Sequence, residues 1–282
     1  MVAILLALAT SGLWGISDFL GGNAARTVAP VVIALIAECI GLAATGILWA
    51  FVGTRIDGQA LILAVGSGIT GAVGLILLYG AFARGLLSIV APIIALSATI
   101  PVAAAIVAGE RPALVAVIGA VVALSGAVLA ARGETAREDA DVDATSAVAW
   151  ALGAAVAFGV GLYLLGLSGK HDDALASLIG VRIAAVPLLL VVCAVTRPSF
   201  DGVRANGPAL AAVGLTDIGA NGCFVLASGR GLQSLVSVLS SLYPVVVIGL
   251  AHLVLGERIT KSQYVGVGAT LAGVAMVSAG SG

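Results

Sequence analysis

Residues 30–52 read PVVIALIAECIGLAATGILWAFV, an apolar run in which Glu38 is the only charged side chain. An α-helix rises about 1.5 Å per residue and the hydrocarbon core of a bilayer is about 30 Å thick, so a run of this length crosses a membrane as one helix. The rest of the chain is similar, because 61% of its 282 residues are hydrophobic and only 10% are charged. A soluble domain carries about 25% charged residues. The composition therefore places the chain in a membrane.

Runs of similar length recur along the chain between short connectors that mostly carry one or two charges. Ten runs are predicted to be spans, at 2–21, 30–52, 60–82, 87–108, 113–131, 146–167, 174–196, 207–228, 232–254 and 262–280. They are continuously apolar, whereas the strands of a membrane β-barrel alternate apolar and polar residues. Because a span in lipid must satisfy its own backbone hydrogen bonds, each run is predicted to be a helix. The predicted fold class is an all-α, multi-pass membrane protein.

The connector at 132–145 differs from the others because it is charged and acidic. It is predicted to be a solvated linker, and it lies near the middle of the chain, where a junction between two halves should fall. The sequence thus divides into a first five-helix repeat at 1–131 and a second at 146–282.

Two short motifs support this division, since each recurs 146 or 147 residues further on at a corresponding helix end. Arg-Gly-Leu at 84–86 recurs at 230–232, and Gly-Glu-Arg at 109–111 recurs at 256–258. Because five spans are an odd number, the second repeat starts on the opposite side of the membrane and must be inverted. Inverted repeats around a site near the bilayer midplane are the architecture of many secondary transporters.

Glycine is abundant, at 38 residues, and small residues let helices approach closely within lipid. Gly119 with Ala123 and Gly268 with Ala272 have the four-residue spacing of such contacts.

Other classes of protein find no support in the sequence. A formal net charge of −1 without a basic face gives no reason to expect nucleic acid as a partner. The three cysteines are far apart and lack metal-ligand spacing, and we find no phosphate-binding loop or nucleophile elbow. The sequence therefore predicts no metal, no cofactor and no enzyme.

Ionisable residues inside the predicted spans are functional candidates, because a charge at the bilayer centre costs about 2.5–3.5 kcal/mol on insertion scales. Asp217 and Asn221 are four residues apart on one helix face, so they are predicted to contact a polar substrate or a partner helix. Glu38 and Arg182 occupy equivalent positions in the two repeats and carry opposite charges. They are predicted to form an ion pair or gate, with a substrate or proton role as the alternative.

Asp18 and His252 complete the candidates for proton coupling or gating. His252 belongs to the residue type that titrates near physiological pH. Both also have a structural explanation, Asp18 as an interfacial helix-end residue and His252 as a satisfied or snorkelling side chain near the end of its helix.

Six aromatic residues are predicted to form walls of a substrate cavity, with ordinary helix packing as the alternative for each. Five of them are the predicted substrate contacts, Trp14, Tyr79, Phe158, Tyr163 and Tyr243, and the sixth is Phe19.

Several local patterns, taken together, resemble the EamA family of the drug/metabolite transporter superfamily. They are Leu-Trp-Gly-Ile-Ser-Asp-Phe at 13–19, Ala-Phe-Ala-Arg-Gly-Leu at 81–86, Tyr-Pro at 243–244 and Leu-Gly-Glu-Arg-Ile-Thr at 255–260. The resemblance implies a ten-helix fold whose cavity is lined mainly by spans 1, 3, 4, 6, 8 and 9. It also implies transport, commonly export, of small polar or amphipathic metabolites such as amino acids.

The leading functional hypothesis is a secondary transporter in the cell membrane that works by alternating access. Coupling to protons is compatible with the sequence. The predicted partners of the transporter are a small-molecule substrate and the lipid bilayer, and a homodimer is compatible with the sequence. Two alternatives remain at this stage: a membrane-embedded enzyme acting on lipid, and a non-transporting subunit of a membrane assembly.

Overall fold

The computed structural model describes residues 1–53, 57–84, 90, 93–131, 144–171, 174–255 and 261–280. The described residues are helical, with short connections. The predicted linker, apart from residues 144 and 145, lies outside the described residues, as do the Gly-Glu-Arg motif at 256–258 and most of the Arg-Gly-Leu motif at 84–86.

The helices follow one another along the chain in the order that the apolar runs predict. The first group comprises α1 (Val2–Ala24), α2 (Pro30–Val52), α3 (Gly58–Arg84), a 3₁₀ turn (Leu96–Ala98), α4 (Thr99–Val107) and α5 (Leu114–Ala131). The second group comprises α6 (Ala144–Ser168), a 3₁₀ turn (Gly169–His171), α7 (Ala174–Thr196), α8 (Gly207–Ser228), α9 (Gln233–Ser240), α10 (Tyr243–Leu255) and α11 (Lys261–Ala279).

Seven helical stretches among the described residues are long and apolar enough to cross a membrane. They are α1, α2, α3, α7, α8, the stretch Thr145–Gly169 and the stretch Gln233–Val254. Three shorter apolar helices, at Ile93–Val107, Leu114–Leu129 and Tyr264–Val277, fall within the other predicted spans. The prediction of an all-helical, multi-pass membrane protein is confirmed.

Proline and glycine set several helix ends. Pro30 stands in the first turn of α2, where its missing N–H and fixed φ are tolerated, and Gly53 ends that helix at a φ of 63°. The predicted span at 232–254 is interrupted just before Pro244, where the Leu242 N–H reaches the Leu239 carbonyl at 3.5 Å and α10 begins at Tyr243. The span is therefore two helices, α9 and α10, joined by one tight turn.

Helices from the two ends of the chain interleave. The largest contacts join α5 to α11, α3 to α6, α1 to α8 and α3 to α7, and α2 lies against both α7 and α8. Both apolar core clusters draw on both groups of helices, for example Phe19 with Tyr243 in one and Ala7 with Phe224 in the other. The space between the two groups is thus enclosed by both.

The pair α5 and α11 packs backbone against backbone. A Cβ on Gly119 would lie 2.7 Å from the Gly273 carbonyl oxygen, and a Cβ on Gly126 would lie 2.7 Å from the Gly266 oxygen. Because the contact on α11 moves backwards as the contact on α5 moves forwards, the two helices run antiparallel. The predicted close contact at Gly119 is confirmed, but the one at Gly268 is wrong, since a Cβ there meets no atom within 4 Å.

Candidate functional site

A cavity of about 100 Å³ lies between the helices and carries most of the polar candidates. Because a cavity needs at least about 10–15 Å³ to hold one water, this one has room for several waters or a small solute. Nine of the eleven predicted site residues line it: Trp14, Asp18, Glu38, Tyr79, Phe158, Arg182, Asp217, Asn221 and Tyr243. Whether these residues bind or couple stays a prediction, but the fold brings them together.

Helical periodicity explains how each element presents its side chains to the cavity. On α1, Trp14, Ser17 and Asp18 are three and four residues apart and share one face. On α6, Phe158 and Leu162 do the same. Each helix therefore contributes one narrow face of side chains to the cavity. Which polar groups lie next to one another depends on which helix faces pack together.

Arg182 is the centre of a buried ion cluster. Its Nη1 donates to Glu38 Oε2 at 2.5 Å, and its Nη2 donates to Asp217 Oδ2 at 2.8 Å. The side chains of Arg182, Glu38 and Asp217 are 1%, 4% and 14% exposed. Asn221 Nδ2 adds a hydrogen bond of 3.0 Å to the same Asp217 oxygen. One guanidinium thus joins a carboxylate of α2 to a carboxylate of α8.

This cluster adds to one expectation and agrees with two others. The resemblance assigns the cavity mainly to spans 1, 3, 4, 6, 8 and 9, and most of the lining residues lie there, while Glu38 on α2 and Arg182 on α7 line it as well. The predicted ion pair of Glu38 with Arg182 is present. The shared face of Asp217 and Asn221 is present as well, and it contacts both the cavity and Arg182 of a neighbouring helix.

Two glycines explain why α7 reaches the cavity. A Cβ on Gly68 of α3 would lie 2.2 Å from the Val181 carbonyl oxygen, so α3 and α7 touch along their backbones. A Cβ on Gly41 of α2 would lie 2.7 Å from Arg182 Nε, so the guanidinium occupies the space that a larger residue would fill. Small residues let these helices approach within the distance that an arginine can bridge.

Asp18 differs from the other two cavity carboxylates. No ion pair or hydrogen bond to its side chain is found among the residues that the structure describes. It is half-buried in α1, six residues before the helix ends at Ala24, and it faces the cavity, which disagrees with the interfacial helix-end interpretation. It interacts electrostatically with Asp217, Tyr79 and Tyr243.

The predicted aromatic residues also pack as core, and Phe19, which is 8% exposed, lies in the core and outside the cavity lining. Tyr79 is 1% exposed and fits where α1 has Gly21, since a Cβ on Gly21 would lie 2.9 Å from the tyrosine oxygen. Trp14 packs on Phe224 with ring centroids 5.8 Å apart. The Tyr243 hydroxyl is buried and finds no hydrogen-bond partner in the described part of the chain. The cavity walls are therefore apolar, with a few hydroxyls.

Two predicted site residues lie away from the cavity lining. Tyr163 follows Phe158 by five positions, about 140° around α6, and it is half-buried on another face. His252 follows Tyr243 by nine positions, about 180° around α10, and its side chain is exposed. Both residues therefore lie on faces turned away from the cavity lining, and residue type alone does not say which face of a helix points inward.

Sequence reasoning missed the serines and small residues of the lining. Ser17, Ser67, Ser97 and Gly71 all line the cavity. Of these residues, only Ser17 could have been predicted from the sequence, because it precedes Asp18 in the 13–19 motif. For Ser67 and Ser97 no signal existed, because serine in an apolar helix commonly hydrogen-bonds to its own backbone and need not face a site.

Glu110 builds a second polar cluster, outside the cavity lining. Its two carboxylate oxygens accept the backbone N–H groups of Gln233 and Ser234, each at 3.0 Å, and so cap the start of α9. Lys170 Nζ lies 3.2 Å from Glu110 Oε1. Burial acts to raise the pKa of Glu110, but these hydrogen bonds outweigh it and hold the pKa below its ordinary value. Glu110 of the Gly-Glu-Arg motif thus joins its own connection to the start of α9 and to the turn at 169–171.

The same part of the molecule has two more links. Gln233 is fully buried, and its Nε2 donates to the Tyr163 carbonyl at 2.8 Å. His171 Nδ1 lies 3.1 Å from Asp57 Oδ2, and the Gln59 N–H donates to Asp57, which lowers the pKa of that carboxyl. The 169–171 turn is therefore joined to α3 on one side and to Glu110 on the other.

The fold and the cavity define an integral, multi-pass membrane protein with a polar site enclosed by its helices. Residues 145–279 match the EamA-like transporter family, of the drug/metabolite transporter superfamily. The resemblance seen in the sequence is thereby confirmed over residues 145–279. The match indicates a membrane transporter, and proteins of this family are typically not enzymes.

Solved structures share the whole fold. Twenty-nine chains match, and one of them, described only as "Crystal structure of protein", has a TM-score of 0.81 at 19% sequence identity. The match covers 99% of this chain and 97% of the other. At this identity the similarity shows the fold alone. No curated protein matches the sequence significantly.

Proposed function

We propose that the protein is a secondary transporter that exports small polar or amphipathic metabolites, such as amino acids, across the cell membrane by alternating access coupled to protons. One observation carries the proposal: a cavity between the two groups of helices holds a buried ion cluster with side chains from both. Charged groups within membrane spans are costly and mark substrate or proton pathways.

Two contacts support an arrangement of ten spans in two inverted five-helix repeats. Glu38 and Arg182 are 144 residues apart in sequence and form an ion pair, and Thr270 Oγ1 donates to the carbonyl of Ala123, 147 residues before it, at 3.3 Å. The sequence already marks Glu38 and Arg182 as equivalent positions, and 147 is the offset at which the Gly-Glu-Arg motif recurs. A position contacts its own equivalent only near a two-fold axis.

The orientation of α5 against α11 supports inversion in particular. These helices are equivalent in the two repeats, and they pack antiparallel with reciprocal glycine contacts, Gly119 on Gly273 and Gly126 on Gly266. Reciprocal contacts between antiparallel helices are what an axis perpendicular to the helices produces. An axis of that kind, lying in the membrane plane, relates inverted repeats in secondary transporters.

The Glu110 cluster supports alternating access because it links the two repeats, outside the cavity lining, through hydrogen bonds and an ion pair. It joins the start of α9 to the turns at 109–113 and 169–171, which belong to both repeats. Hydrogen bonds and an ion pair can break and re-form while the helices keep their internal structure. In this proposal they open when the cavity faces their side of the membrane.

Among its described cavity residues, the structure offers a membrane-embedded lipid enzyme a cluster of carboxylates but no histidine or cysteine. This alternative requires clustered catalytic groups, and Asp18, Glu38 and Asp217 do line one cavity. However, Arg182 engages two of these carboxylates, and no histidine or cysteine is among the described cavity residues. We therefore keep transport as the proposal.

The test is solute flux in liposomes that contain the purified protein, with and without an imposed pH gradient. We expect gradient-dependent movement of at least one member of a panel of amino acids, amines and nucleosides. Arg182→Gln should lower the flux strongly, because two carboxylates then lose their partner inside the cavity. Arg26→Gln, at an exposed connector, is the matched control and should leave it unchanged.

Flux that is absent for the whole panel, in protein that is folded by its melting curve, would overturn the proposal. Turnover of a lipid by the same preparation would favour the enzyme instead.

A further inference from the structure

The charges of the cavity do not balance. Among the described residues that line it, Asp18, Glu38 and Asp217 are acidic and Arg182 alone is basic, so three carboxylates face one guanidinium. With every group ionised the formal charge is −2, which is one minus three. Both terminal nitrogens of Arg182 already donate hydrogen bonds, one to Glu38 and one to Asp217. The position without a protein counter-ion is Asp18.

The Tyr243 hydroxyl is a second and independent sign of a missing ligand. The residue is 6% exposed, it lines the cavity, and its oxygen has no hydrogen-bond partner within the described ranges. It lies close enough to Asp18 for an electrostatic interaction. Buried hydroxyls are nearly always hydrogen-bonded in native proteins, so this one calls for a partner inside the cavity.

The walls around these two groups suit the body of an organic cation. Trp14 and Phe158 line the same cavity as Asp18, together with leucines such as Leu75 and Leu162. Aromatic ring faces attract cations, and apolar side chains cover hydrocarbon. An inorganic ion would use none of this apolar surface.

We propose that the cavity binds organic amines in their protonated form, with the ammonium group on the Asp18 carboxylate and the Tyr243 hydroxyl, and with the apolar part of the compound against Trp14 and Phe158. An ammonium group brings donors and no acceptor, which is what an unpaired carboxylate and the oxygen of a tyrosine require. A compound whose only charge is a carboxylate is excluded, because Arg182 is occupied and three carboxylates repel it. The inference rests on the proposed function and names the substrate class of the same site.

Three probes of similar size and shape separate charge from shape. They are phenethylamine, 2-phenylethanol and phenylacetate, and their binding to the purified full-length chain is measured by titration calorimetry at one pH. We expect phenethylamine to bind about 10-fold or more tightly than the alcohol, and phenylacetate to show no measurable binding.

Variants locate the ammonium group. Asp18→Asn keeps the shape of the side chain and should weaken phenethylamine about 10- to 100-fold while leaving 2-phenylethanol unchanged. Tyr243→Phe keeps the ring and should weaken the amine about 3- to 10-fold, and it tests the site even where Asp18→Asn fails to fold. Asp201→Asn removes an exposed carboxylate outside the cavity lining and should change neither probe.

Equal affinity for the amine and the alcohol, tighter binding of phenylacetate, or full amine affinity in Asp18→Asn would each overturn the inference. So would the absence of amine binding in a preparation that moves some other solute in liposomes, and in that case the transporter proposal survives. Absence of both binding and flux removes the two proposals together.

Discussion

Replacement of Arg182 by methionine leaves Glu38 and Asp217 facing the cavity without a cation. The guanidinium is 1% exposed, and the two carboxylates are 4% and 14% exposed, so the three charged groups are largely shielded from bulk water. Breaking a buried ion pair by removing one partner costs about 3–5 kcal/mol. Methionine fills most of the volume of the arginine chain beside Gly41, so the loss is electrostatic and not a packing defect.

The expected fall in melting temperature follows from this free energy. A large domain loses about 2–4 °C per kcal/mol, so Arg182→Met should melt about 6–20 °C lower than the parent protein. The assay is intrinsic-fluorescence melting of the detergent-purified protein. Arg182→Lys should fall in between, because an ammonium is a point charge and does not span two carboxylates as the planar fork does.

A triple variant separates the charge from the side chain. Combining Arg182→Met with Glu38→Gln and Asp217→Asn removes the unpaired carboxylates, so it should recover most of the lost stability, since neutral replacement of a buried ion cluster is often tolerated. Arg182→Met that melts within about 2 °C of the parent protein would refute the buried ion cluster as described. A triple variant less stable than Arg182→Met would refute the electrostatic explanation.

Three further predictions concern packing and the Glu110 cluster. Glu110→Gln should destabilise by about 1–2 kcal/mol at neutral pH. The folded pKa of Glu110 lies below its ordinary 4.5, so the stability that Glu110 contributes is fully present above pH 4.5 and is lost as the pH falls through the folded pKa. The difference in melting temperature between the parent protein and Glu110→Gln should therefore vanish in acid. A difference that stays constant with pH contradicts the cap. Gly273→Ala should lower stability by about 1–3 kcal/mol, since its Cβ would lie 2.3 Å from a backbone nitrogen of α5. Gly268→Ala on the same helix is the control and should be neutral or stabilising. Equal melting temperatures of the two variants would contradict the packing of α5 against α11. Arg84 lies with its Cζ 4.0 Å from the Trp150 ring centroid, so a double-mutant cycle in the same melting assay should give a coupling of about 0.5–2 kcal/mol, and additive effects would exclude the cation–π contact.

The sequence by itself determined the helices and their order. The predicted spans at 30–52, 174–196 and 207–228 agree with the observed helices residue for residue, because charges, prolines and glycines bound the apolar runs on both sides. Periodicity within one helix also sufficed for Asp217 and Asn221, whose four-residue spacing fixes a shared face and allows the observed hydrogen bond. These are local consequences of backbone geometry and of the thickness of a bilayer.

Only the tertiary structure decided which faces meet. The sequence offered Arg182 and Glu38 as partners, but the cluster forms because Gly68 and Gly41 let helices far apart in the chain come within reach of one side chain. By the same rule Tyr163 and His252 carry suitable chemistry and lie away from the cavity lining, since they are on the wrong faces of α6 and α10. Lipid accepts almost any apolar face equally, so hydrophobicity sets the length of each helix, and close contact between helices sets its rotation.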